Sequence, residues 1–197
     1  MYDIAFWPED SRYLYIGMNG SDDPATDDLL FRAKVTDGNV DDMGFPSCLY
    51  NVGPSNGYPL VPVPSPVPGV AELFGTCDEK ETKHLNRPLL TFGKHVAVTG
   101  IAFAPRRFAR HYEGDLFAAE FGSNVPTTPP TGHQIVRVPI DEDGLPETGQ
   151  DGNPVVERFA FGGDADTPVD LVFGPDGAMY VADIFNSAIF KIERQQQ

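Results

Sequence analysis

Three segments of this chain repeat one another, and that repeat restricts the fold more than any other feature. Asp3-Ile4-Ala5-Phe6-Trp7-Pro8, Gly100-Ile101-Ala102-Phe103-Ala104-Pro105 and Asp170-Leu171-Val172-Phe173-Gly174-Pro175 share one pattern: small or acidic, aliphatic, small, Phe, any residue, Pro. After a turn, each is followed by a second strand-like stretch, at 13–17, 115–120 and 178–183. A third stretch follows, at 29–33, 134–138 and 188–192, with Arg32, Arg137 and Lys191 at the same position between apolar neighbours. That alternation suits strands with one solvated face.

A unit of strand, turn, strand, loop, strand, recurring in order, predicts an all-β fold of β-propeller blades, about three four-stranded blades of a six-bladed ring. Sandwiches and parallel solenoids lack this repetition. The units begin near residues 3, 100 and 170, farther apart than the roughly 40 to 50 residues of a minimal blade. An insertion over about 41–94 accounts for much of the excess. It contains the proline-dense run 59–68, which favours extended surface conformations. Val155 to Phe161 reads as an outer strand, and Asp176-Gly177 as a tight turn between strands. With 20 Gly, 19 Pro, 14 Phe and 7 Tyr the chain favours short strands and turns, and no amphipathic helix is evident.

Composition narrows the partners. A net charge of −15 repels phosphate backbones and anionic membrane surfaces, so nucleic acid is not expected as a partner. No apolar run is long enough for a membrane-spanning helix. Cys48 and Cys77 have no CxxC spacing, which argues against zinc and thioredoxin-like chemistry. A disulfide between them is the better reading, with two buried thiols as the alternative. A disulfide points to an extracellular or periplasmic location.

Strand parity sorts the polar residues. Loops entering a first strand and loops joining second to third strands emerge on one face, and first-to-second turns emerge on the other. The first face receives Asn19, Asp22, Glu120, Asn124 and Asp183 as cofactor-binding candidates, and His95 as a candidate general base. A structural role for His95, and turn-capping roles for Asn124 and its neighbours, stand beside those readings. Asp22, Asp23, Asp27 and Asp28 offer Ca²⁺ chemistry or a solvated acidic loop, without EF-hand spacing. The other face receives 8–12, 106–111 and 175–177, which read as solvated turns.

Several segments resemble the glucose/sorbosone dehydrogenase-like propellers. Met43-Gly44-Phe45-Pro46-Ser47-Cys48 is similar to their Gly-Phe-Pro-x-Cys segment, and His95-Val96-Ala97-Val98-Thr99-Gly100-Ile101-Ala102-Phe103 to their His-Ser-Ala-Pro-Leu-Gly-Leu-Ala-Phe strand. Tyr112-Glu113-Gly114-Asp115-Leu116-Phe117, His133-Gln134-Ile135-Val136-Arg137-Val138-Pro139 and the stretch 167–183 continue the likeness in order. The resemblance implies a quinoprotein propeller holding pyrroloquinoline quinone (PQQ), often with Ca²⁺, that oxidises a sugar hydroxyl by hydride transfer to the quinone. It also implies that these residues are the C-terminal half of a ring, inactive alone and completed by the remaining blades or a homodimer. Relatives carry a His-Gly-Ser-Trp-Asn-Arg loop where this chain has Phe121-Gly122-Ser123-Asn124-Val125-Pro126. That departure favours a second reading, a non-catalytic propeller that binds carbohydrate or protein on the same face.

Overall fold

The computed structural model describes residues 3–20, 26–36, 39–43, 48–50, 60–62, 73, 75–81, 86–123, 131–163 and 166–193. The strands are β1 (Asp3–Phe6), β2 (Tyr13–Met18), β3 (Asp27–Thr36), β4 (Asn39–Val40), β5 (Cys48–Tyr50), β6 (Leu60–Pro62), β7 (Leu90–Lys94), β8 (Val98–Phe103), β9 (Leu116–Glu120), β10 (Gln134–Val138), β11 (Glu157–Ala160), β12 (Pro168–Phe173), β13 (Met179–Asp183) and β14 (Ala188–Ile192). All pairings are antiparallel. The fold is all-β and propeller-like, with three principal sheets ordered β1-β2-β3-β4, β8-β9-β10-β11 and β12-β13-β14.

Each sheet begins with one of the repeated segments, and these first strands lie side by side. The Asp3 carboxylate accepts the Ile101 N–H at 2.7 Å, tying β1 to β8. A side chain at Gly100 would meet the Asp170 backbone at 2.8 Å, so β8 and β12 approach too closely for any residue but glycine there. The basic residue of each third strand is held on its own terms. Arg137 bonds Asp115 and Glu157, both at 2.7 Å, Lys191 reaches Asp176 at 3.2 Å, and Arg32 donates to the Asp143 and Gly144 carbonyls of the second sheet's outer loop.

Two cores fill the spaces between sheets. Tyr15, Leu30, Val98, Ile101, Leu116 and Val136 pack between the first and second sheets. Phe108, Phe117, Ile135, Leu171, Met179 and Val181 pack between the second and third, with Phe108, Tyr112, Phe117, Phe159 and Phe173 in tilted and edge-to-face ring contacts. The 106–111 segment is therefore no solvated turn throughout: Phe108 and Ala109 are buried as its anchor.

The insertion does two structural jobs. β7, near its end, pairs with β3 from Asp27 to Leu30, while β4 pairs with β3 farther along, so the first sheet's outer position is filled by two short strands. The Cys48–Cys77 disulfide is formed. It fastens the β5–β6 hairpin to the helical turn Cys77–Glu81. Pro62, from the proline-dense run, sits in that hairpin opposite Cys48. A two-stranded edge pairing tolerates proline where a central strand does not. Tyr50 and Met43 then cover Leu14, Ile16, Leu29, Phe31 and Ala33, on the side of the first sheet facing away from the second. The third sheet keeps an open side, with Val172 and Ile189 exposed.

Candidate functional site

The strand ends gather the loops expected by parity. β2 delivers Asn19, β9 delivers Glu120 and β13 delivers Asp183, each at or just past its C-terminal end. Asp22 and Asn124 lie outside the described residues. His95 follows β7 in a left-handed turn (φ 58°), and its carbonyl accepts the Thr131 hydroxyl at 3.0 Å.

Asp28 is the hinge of the first part of this face. Its buried carboxylate accepts the Gly20 N–H and the Ala97 N–H, both at 2.6 Å, joining the β2–β3 loop to the β7–β8 connection. Burial raises its pKa, opposed by those backbone donors. Asp27 is also buried and accepts the Thr91 hydroxyl at 2.6 Å. Asp27 and Asp28 thus belong to β3 as internal anchors, which corrects their reading as a solvated acidic loop. Among the described residues no group of three or more His, Cys, Asp or Glu side chains is placed to hold a metal ion.

From Ala97 the frame continues. The Phe121 and Gly122 N–H groups donate to the Ala97 and Val96 carbonyls, so the β9–β10 loop leaves its strand along the β7–β8 connection. His133, at the far end of that loop, holds the Asp166 carbonyl at 2.7 Å through Nδ1. Asp166 receives the Asn186 side-chain amide at 3.1 Å. Asp183 is buried and caps the Thr167 and Asn186 N–H groups at 2.7 and 2.8 Å. Burial alone would raise its pKa, but those donors outweigh it and the pKa is lowered.

Glu120 is the chemically distinctive carboxyl. It is 2% exposed and accepts the Gln134 side-chain amide at 2.7 Å. Arg158 holds the other end of that amide at 2.6 Å. Desolvation pushes the Glu120 pKa up to about 7, with the Asp28 charge adding to the effect. Near neutral pH such a group can either accept or give a proton.

Sequence reasoning placed Asn19, Glu120, His95, Asp183 and, within 164–167, Asp166 on this face but did not single out His133 or Gln134. The signal was available: parity puts the residues just before a third strand on the same face as those just after a second, and Gly132-His133-Gln134 opens β10. Between the second and third sheets, His133, Gln134, Asp166, Phe161 and Phe190 border a mainly apolar cleft of about 330 Å³.

No protein-family model and no curated protein matches the sequence. Solved structures do. An enzyme of Carbohydrate-Active Enzymes Family AA12 from Trichoderma reesei, seen in an iodide and a calcium structure, superposes with TM-scores of 0.71 and 0.67 at 20% and 19% identity, over 95% of this chain and 51% and 50% of that one. The holo PQQ domain of a pyranose dehydrogenase from Coprinopsis cinerea gives 0.54 at 21% identity, over 91% and 46% of the two chains. A glucose dehydrogenase gives 0.58 at 17% identity, over 98% and 44%. The chain spans about half the length of these proteins and shares their fold over that half.

Proposed function

We propose that this chain is part of a sugar oxidoreductase of the quinoprotein glucose/sorbosone dehydrogenase type, located outside the cytoplasm, that binds its carbohydrate on the loop face. The supporting observation is the frame of hydrogen bonds and close packing from Gly20 through Asp28, Ala97, Gly122, His133, Asp166 and Asn186, which fixes loops of all three sheets around one another. Preorganised polar groups on a rigid scaffold are what a substrate with many hydroxyls requires. Asn19 contributes an acceptor, since its Oδ1 is buried with no hydrogen-bond partner among the described residues. His95, Asn19, Asp22, Glu120, Asn124 and Asp183 remain the residues we assign to ligand contact, with His95 as the candidate base.

PQQ, when bound, supplies the hydride acceptor. It is a tricarboxylate, and its seat needs cations. The described loop face is instead rich in carboxylate, with Asp27, Asp28, Glu120, Asp166 and Asp183 set against Lys94 and, at the margin, Arg158. These residues do not fit the quinone, so its seat, and that of an accompanying Ca²⁺, is assigned to parts of the ring beyond them. No step of this chain's residues is drawn through it.

The test is a difference absorption spectrum of the completed ring, this chain together with its remaining blades, with PQQ and Ca²⁺ added, followed by dye reduction with a panel of aldoses. Spectral change with sugar-dependent reduction is the expected result. Sugar binding without reduction would replace this reading with the non-catalytic carbohydrate-binding propeller, which the shortage of cations favours.

A further inference from the structure

Five side chains close a ring of contacts on the loop face where the second and third sheets meet. Phe121 and Phe185 stand edge to face at 5.9 Å between centroids. Phe185 precedes Asn186, whose side-chain amide bonds Asp166, whose carbonyl is bonded by His133. The His133 ring then lies against Gly122, the residue after Phe121. A side chain at Gly122 would come within 2.4 to 2.6 Å of Nε2 and both neighbouring ring carbons. Near-equal distances to those three atoms place Gly122 over the face of the imidazole rather than in line with the Nε2 lone pair.

The hydrogen bond to Asp166 settles which nitrogen is which. A carbonyl oxygen only accepts, so Nδ1 carries the hydrogen and Nε2 of the neutral ring presents a lone pair. No partner to Nε2 is present among the described residues. Phe185 is 68% exposed and Ile184 beside it 55%, although the backbone around them is fixed by the Phe185 N–H to Thr167 and Asn186 N–H to Asp183 bonds. Exposed aromatic surface on a rigid turn, bordered by an acceptor nitrogen, a carboxylate and an amide, combines the two chemistries a sugar ring offers: an apolar C–H face and a rim of hydroxyls.

We infer that this ring of residues is a pyranoside site in which Phe185, backed by Phe121, stacks under the C–H face of the sugar while His133 Nε2, Asp166 and Asn186 take its hydroxyls. The inference rests on the reading that the loop face handles carbohydrate, and it adds the residues that hold the ring. Stacking needs a face free of axial hydroxyls, which a β-glucopyranoside offers on both sides and a β-galactopyranoside on the side opposite its axial 4-hydroxyl.

The experiment is titration of the 197-residue chain with methyl β-D-glucopyranoside and methyl β-D-galactopyranoside, by calorimetry and by saturation-transfer NMR. Variants Phe185→Ala and His133→Ala are compared with the parent, and thermal melting checks their folds. Glucoside binding at least tenfold weaker in Phe185→Ala is expected, with galactoside binding weakened by the same variant. Phe185 is exposed, so its variant keeps the fold and carries the decision if His133→Ala does not fold. Absence of glucoside binding, or binding that Phe185→Ala leaves unchanged, overturns the site. If binding behaves as expected but the completed ring shows no sugar-dependent dye reduction with PQQ, the dehydrogenase reading fails and the sugar site stands.

Discussion

Glu120 and Gln134 face each other across β9 and β10 and share a 2.7 Å hydrogen bond, with Arg158 fixing the far side of the Gln134 amide. Burial lifts the carboxyl from an ordinary 4.5 to about 7. The folded protein therefore holds this proton more tightly than the unfolded chain. The resulting stability is complete below about pH 4.5 and is lost as pH rises through about 7. At about 1.4 kcal/mol per pH unit, the loss is on the order of 3 kcal/mol. Glu120→Gln keeps an acceptor for Gln134 and has no charge to bury. Urea denaturation at pH 5 and pH 8 is expected to show a smaller difference for the variant than for the parent. An equal difference in both would show that Glu120 is ionised without penalty.

Asp183 works in the opposite direction. Two backbone N–H groups, of Thr167 and Asn186, hold its carboxylate and lower its pKa. Its contribution is present above the ordinary carboxylate value of 3.8 and is lost as pH falls through the lowered one. Asp183→Ala leaves the buried Thr167 N–H without this partner and is expected to cost about 1 to 3 kcal/mol at pH 7, read by chemical denaturation. A change below about 0.5 kcal/mol would remove Asp183 from the frame.

The disulfide ties down the cover of the first sheet. It closes a separation of 29 residues, worth about 3 to 4 kcal/mol in the chain-entropy account. Its loss also loosens the segment lying on Ile16, Leu29 and Phe31. The Cys48→Ala/Cys77→Ala variant is expected to lose at least that much stability and to gain binding of a hydrophobic dye. Intact mass of the unreduced parent should be two hydrogens below that of the reduced form.

Gly122 adopts φ +95° against the His133 ring. Gly122→Ala is expected to destabilise the protein by about 1 to 3 kcal/mol and to shift the His133 NMR resonances, while Gly152→Ala, whose added carbon meets nothing within 4 Å, shifts none of them.

Much of the architecture was legible because strand period and repeat order are local signals. The three first strands, their partners and the basic residues Arg32, Arg137 and Lys191 all emerge from pattern alone. The fourth position of the first sheet was not legible. β7 returns to β3 across more than fifty residues, and nothing local in Leu90–Lys94 announces that pairing. The candidate site divides the same way. Parity placed Glu120 and Asp183 together at the ends of second strands, but burial decides what they do there, and burial is a property of the packed sheets. Asp28 shows this most clearly: an acidic residue in an acidic stretch, it becomes an internal anchor because β7 and the 95–97 turn close over it.

The central claim is that ligand binds on the loop face, and backbone hydrogen exchange with and without saturating methyl β-D-glucopyranoside tests it most directly. The account predicts added protection in 95–97, 120–123, 131–134, 166–167 and 183–187, with Arg106→Ala and Arg110→Ala leaving affinity unchanged. Protection confined to the opposite turns, 8–12, 105–112 and 175–177, would contradict it.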